Sequence, residues 1–173
     1  MTDAPVVFDA GALESRLPDF ASLLHACVHD GASVGFVLPF PEADADMFWQ
    51  GVMGALRGGR RLLLAIEVDG GLAGTVQLDW DTPANQPHRA EVRKLLVHPA
   101  FRRRGLARML MEEVEERARA LGRTLLTLDT RTGDAAEPLY ASLGYVRVGS
   151  IPGYCLDPLS PRLDATTIMY KPI

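Results

Sequence analysis

The stretch from Ala90 to Thr130 restricts the fold more than any other part of the chain. Ala90 to His98 has the composition of a strand, and Pro99 breaks it. Gly105 to Leu121 carries Leu106, Met109 or Leu110, Val114 and Leu121 along one side of a helix, and Gly122 stops it. Thr124 to Thr130 is a second strand. A strand–helix–strand crossover lets its two strands run parallel and side by side in one sheet.

The flanking segments add antiparallel neighbours. Arg61 to Val68 and Leu72 to Asp81 flank Asp69-Gly70-Gly71, the pattern of a hairpin. Tyr145 to Val148 and Ala165 to Tyr170 are two late strands around a Pro-rich segment, residues 150–163, expected as a loop. Pro5 to Asp9 is a short first strand. Helices are expected over Ser15 to Val28, from the acidic turn after Pro41 through Met47 to Leu56, and over Ala135 to Leu143. The order is strand, two helices, a three-strand meander, helix, strand, helix and two strands, an α+β plan.

At 173 residues the chain suits a single domain, residues 1–173. A net charge of −4 gives no support for a nucleic-acid partner. No stretch approaches the ~18 apolar residues of a membrane span. The first residues are acidic and lack an apolar leader, so a cytoplasmic chain is expected. Cys27 and Cys155 lack metal-type spacing and are expected as reduced, mostly buried thiols. The four histidines form no metal cluster, so no metal is expected. Trp49 and Trp80 are expected in the core, and the charge-laced run Glu112 to Arg119 on a solvated helix face.

Against this acidic background, Arg93, Lys94, Arg102, Arg103, Arg104 and Arg108 crowd one stretch. A strand here runs into a basic, Gly-containing turn that opens a helix. A helix start presents unpaired N–H groups and partial positive charge, which together cradle phosphate. Gly105 lets the backbone approach closely, and Ala107 keeps a nearby position small. The pattern lacks GxGxxG and GK[ST], so neither a Rossmann site nor a P-loop is supported.

Arg102-x-x-Gly105-x-Ala107, after Leu95-Leu96-Val97, resembles the acetyl-CoA motif of the GNAT N-acetyltransferase superfamily. Leu139 to Tyr145 (LYASLGY) resembles a second block of that superfamily. Gly74 to Leu78, Ala90 to Val97, Leu128-Asp129-Thr130 and Arg147 to Cys155 are similar to the tabtoxin-resistance type within it. Gly133 stands where many members have Asn.

The resemblance implies a three-layer α/β/α fold around a mixed, mostly antiparallel sheet with splayed strands four and five. It implies that acetyl-CoA lies with pantetheine on Leu95, Leu96 and Val97. Its pyrophosphate would lie on Arg102, Arg103, Arg104, Gly105, Leu106, Ala107 and Arg108. By the same resemblance Glu91 and Asp129 are general-base candidates for a protonated amine, and Tyr140 the acid for the departing thiolate. The apolar loop Ala32 to Phe40, with Ser33 and Phe36, and the segment Ile151 to Asp157, with Tyr154, are candidate substrate walls.

Three functions fit: an N-acetyltransferase of a small-molecule amine, with toxin or antibiotic resistance as a setting; a protein N-acetyltransferase; and a non-catalytic acetyl-CoA sensor. The three acid–base candidates argue against the sensor, and the apolar, Pro-rich loops favour a closed pocket over a peptide groove. A monomer and a homodimer are equally compatible with the sequence.

Overall fold

The computed structural model describes residues 4–173. Strands β1 (Val6–Phe8), β2 (Arg61–Val68), β3 (Gly71–Asp79), β4 (Arg89–Val97), β5 (Leu125–Arg131), β6 (Val146–Leu156) and β7 (Leu163–Pro172) form one sheet. Its order is β1-β2-β3-β4-β5-β7-β6. Every neighbouring pair is antiparallel except β4 and β5. That exception is the crossover expected from the sequence, carried by α4 (Leu106–Ala120). Between β2 and β3, Asp69 and Gly70 take positive φ angles of 50° and 80°. This is the backbone a two-residue hairpin turn requires, and Gly supplies one of the two at little cost.

Alternation along β2 sorts the core into two layers. Leu63 and Ala65 face α1 (Ala10–Ser15), α2 (Leu17–His29) and α3 (Glu42–Arg57). Leu64 and Ile66 face α4 and α5 (Ala136–Ser142). Trp49 is fully buried, edge-on to Phe20 and Phe48 with ring centroids 5.0 and 5.1 Å away. Trp80 is partly buried against the α4 layer. The fold is therefore the α/β/α sandwich with splayed strands that the sequence led us to expect.

Three expectations change. The helix expected over Ser15 to Val28 is α2, and an unexpected helix, α1, precedes it, capped by Asp9, which accepts from the Ala12 N–H at 2.8 Å. Residues 150–156 belong to β6, not to a loop. Pro152 and Gly153 are absorbed by a bulge between the pairs Ile151–Thr166 and Cys155–Asp164, on the sheet's edge, where a missing donor does little harm. Glu115, expected on the solvated face, is only 5% exposed. It accepts from Lys171 Nζ at 2.5 Å, and this ion pair ties α4 to β7.

Candidate active site

The sheet opens at its parallel step. β4 and β5 pair only at Arg89–Leu125, Ala90–Leu126 and Glu91–Thr127. Beyond that point β5 runs with β7, placing Asp129 opposite Ile168. β4 stays with β3 but carries one residue too many between the pairs Leu96–Thr75 and Arg93–Gln77. Lys94 lies in this bulge with a φ of 51°. Bulges bend a strand and re-aim its side chains. Leu95, Leu96 and Val97 follow, without β5 beside them, along a cavity of about 760 Å³.

At its open end β4 passes through His98 into a short 3-10 turn, Pro99–Phe101, and then into α4. Arg103 and Gly105 take left-handed φ angles of 61° and 81°. Gly105 is the N-cap of α4; no side chain caps the helix, and its first turn holds no acid. A β-carbon built at Gly105 meets nothing within 4 Å, so the space beside the turn is open. Unpaired N–H groups with partial positive charge, open space and no nearby acid on the first turn suit a diphosphate. The acetyl-CoA expected from the sequence thus fits the residues present.

The arginine side chains are less available than the sequence suggests. Arg102 ion-pairs with Asp30, and its Nε donates to the Val97 carbonyl at 3.3 Å. Arg104 lies over the Phe101 ring, 5.4 Å from its centroid, and is not among the residues lining the cavity. Arg108 lines the cavity but donates to Ser142 Oγ at 2.7 Å. Arg103, Gly105, Leu106 and Ala107 line it as well. What the turn offers an anion is main-chain N–H groups with Arg102, Arg103 and Arg108 beside them.

Glu91, Asp129 and Tyr140 line the same cavity. Glu91 lies where the strands part, with Oε1 3.8 Å from Arg93 Nε. Asp129 lies on the β5 arm, its Oδ2 accepting from Thr166 Oγ1 at 3.1 Å. Tyr140 projects from α5 and is 6% exposed, edge-on to Tyr145. Burial, reinforced by the Asp129 and Asp134 carboxylates, holds its hydroxyl well above the usual phenol range. The hydroxyl is therefore a proton donor throughout the neutral range.

On the far side, Ser33, Tyr154 and Cys155 line the cavity together with Gly31 to Gly35. Phe36 does not. It packs against Phe40 and Phe48, with centroids 4.6 and 5.4 Å away, because its apolar ring joins the layer under α2 and α3. Sequence reasoning did not assign Arg131, Thr166, Asp30 or Cys27 to the site, yet all of them line the cavity. Arg131 reaches the Gly31 carbonyl at 3.1 Å, Asp157 at 3.2 Å and Asp164 at 3.6 Å. Cys27 donates from Sγ to the Val97 carbonyl at 3.5 Å, and burial pushes its thiol up to about 11. The only local hint was a charged residue closing β5; its partners lie far away in sequence.

A split sheet with an uncapped helix start at its open end and a buried proton donor within is the frame of an acyl-group transferase. The acetyltransferase (GNAT) family model matches residues 28–145, and the chain belongs to this family. It is 33% identical over 140 residues to an uncharacterised N-acetyltransferase in the hisH–hisA intergenic region of Azospirillum brasilense. That match spans 80% of this chain and 82% of the relative. The chain is accordingly an N-acetyltransferase by family.

Among solved structures it is similar to yncA from Salmonella typhimurium, which was determined with its cofactor acetyl-CoA. The TM-score is 0.76 at 19% identity, over 97% of this chain and 92% of that one. It is also similar to a ribosomal-protein-alanine N-acetyltransferase from Brucella melitensis, with a TM-score of 0.78 at 20% identity, over 100% and 99% of the two chains. At such identities these two establish the shared fold alone. Among the described residues no group of His, Cys, Asp and Glu could hold a metal, and no helix is long and apolar enough to cross a membrane.

Proposed function

We propose that this enzyme acetylates the amine of a small molecule in a ternary complex with acetyl-CoA. The observation that carries this reading is the convergence of Glu91, Asp129 and Tyr140 on one cavity beneath the uncapped start of α4. A cavity of about 760 Å³ lies within the range of small-ligand sites. The wall from Gly31 to Gly35 and the β6 segment around Tyr154 border it on the side away from that turn.

Bound acetyl-CoA supplies an electrophilic thioester carbonyl. Asp129, oriented by the Thr166 hydroxyl, or Glu91 on the opposite arm, takes the proton that an amine carries at neutral pH. The same two carboxylates attract a cationic acceptor. Tyr140 donates its proton to the leaving thiolate. Main-chain groups of Leu95 to Val97 and the N–H groups at Leu106 and Ala107 hold the donor. A cytoplasmic setting and a role in toxin or antibiotic resistance belong to the same reading.

The test is thiol release from acetyl-CoA across a panel of spermidine, 1,4-diaminobutane, histamine, lysine, an aminoglycoside and a peptide with a free N-terminal alanine. Release that depends on a small amine, at least tenfold faster than with the peptide, is expected. Release with the peptide alone favours a protein acceptor. Tight coenzyme A binding without release from any amine favours a sensor.

A further inference from the structure

The cavity wall from Ala32 to Gly35 belongs to no helix or strand. It is held by ties to other segments. Arg131 bonds the Gly31 carbonyl, Ser33 Oγ lies 3.6 Å from Cys155 Sγ, and the Leu38 N–H donates to the Pro158 carbonyl at 3.0 Å. The Ala32 N–H donates to the Cys27 carbonyl at 3.0 Å, and a further tie runs to β4, where Lys94 Nζ donates to the Val34 carbonyl at 2.6 Å.

This lysine is specifically accommodated. It lies in the β4 bulge in the left-handed region, an uncommon conformation for a residue with a β-carbon. Its ammonium lies 5.9 Å from the ring centroids of both Phe36 and Phe48, within cation–π range. A β-carbon at Gly35 would come within 3.4 Å of Nζ, and Gly35 itself has a φ of +93°. Of the 18 lysines and arginines in the chain, only Lys94 and Lys171 are lysines, and Lys171 is engaged by Glu115. A compact ammonium on an unbranched stem fits a corner made of two rings and one carbonyl; a planar guanidinium does not.

We propose that Lys94 is a positioning residue that locks the acceptor wall to the cofactor strand and thereby selects which amine is acetylated. The Val34 carbonyl is the point of contact, so the bulge that opens β4 also fixes the distance across the cavity. Lys94 itself lines the cavity, but its ammonium is turned onto the Val34 carbonyl, so it acts on the acceptor through this wall. The inference rests on the reading that Ala32 to Gly35 face the acceptor.

Lys94→Met keeps the length and removes the ammonium. Amide exchange over residues 31–36, read by mass spectrometry, is expected to quicken at least tenfold. Labelling of Cys155 by 5,5′-dithiobis(2-nitrobenzoate) is expected to quicken at least fivefold as Ser33 moves off it. Coenzyme A affinity by calorimetry stays within twofold, which also reports a folded protein. The KM of the panel amine that reacts fastest rises at least tenfold, with the KM for acetyl-CoA unchanged. Gly35→Ala strains the same wall, because a β-carbon is disfavoured at a φ of +93°, and is expected to give the same changes, the double variant adding little to either.

Exchange and labelling at wild-type rates in both variants would overturn the lock. A loosened wall with unchanged amine KM would overturn its part in selection. If no panel amine releases thiol, the functional reading fails, while exchange and labelling still decide whether Lys94 holds the wall.

Discussion

The two sides of the cavity are built in different ways. The side proposed to hold the donor is a local unit: β4, the turn through Gly105 and the start of α4 are contiguous in the chain. The acceptor side is an assembly of separate pieces. Gly31 to Gly35, Arg131, Asp157, Asp164 and Cys155 come from four parts of the sequence and are held by side chains. A site made from one segment's backbone can keep its ligand while sequences drift. One made from cross-ties can be retuned by a single substitution. The difference separates the expected effects of mutation.

Tyr140 is the proposed proton donor to the leaving thiolate, so its loss should be the most damaging. Tyr140→Phe is expected to lower kcat by about two orders of magnitude, with the KM for acetyl-CoA within twofold. Because burial and the neighbouring carboxylates raise its pKa, wild-type kcat should show no loss from tyrosine ionisation up to about pH 10. A wild-type kcat in the variant would remove its role as acid.

Arg131→Met tests the acceptor assembly alone. It leaves Asp157 and Asp164, each with a side chain only 12% exposed, facing one another with Arg162 as their remaining partner. Breaking this half-buried, partly solvent-screened network is expected to lower Tm by a few degrees. Thermal melts should show that loss, whereas calorimetry should find coenzyme A affinity within threefold. A large loss of coenzyme A binding would break the division between the two sides.

The smallest effect is expected where β3 meets the base of β4. Burial raises the Asp79 pKa, but the Asp81 N–H, Arg61 and Arg93 outweigh it and leave the carboxyl below its usual range. Stability from this group is present above the unfolded value, near ~3.9, and is lost as pH falls through the lower folded value. Melts from pH 7 to 2.5 should therefore fall less steeply at the acid end for Asp79→Asn than for wild type. Parallel curves would show that the network contributes nothing.

The donor side was legible because its information is local. The glycine at 105, the small residue at 107 and the amphipathic run behind them name a turn, a cradle and a helix without knowledge of the rest. The parallel step followed from the same crossover. What sequence reasoning missed depended on partners distant in the chain. Glu115 reads as solvated until Lys171 arrives from β7. Arg131 reads as a strand-end charge until the β6–β7 hairpin folds over it. Phe36 belongs to an apolar loop that both lines the cavity and feeds the core, and its ring takes the second course. Nothing in the pattern of β4 marks Lys94 as the bulge, since a left-handed lysine leaves no periodic trace.

The central claim is that main-chain groups around Gly105 hold the diphosphate of coenzyme A. Titration calorimetry of coenzyme A and of pantetheine, against wild type and Gly105→Val, tests it most directly. A branched side chain at a φ of 81° is strained by about 1–3 kcal/mol. Micromolar binding of coenzyme A, at least a hundredfold weaker binding of pantetheine, and about a tenfold loss in the variant are expected. Equal affinity for the two ligands, or no heat from coenzyme A at all, would contradict the claim.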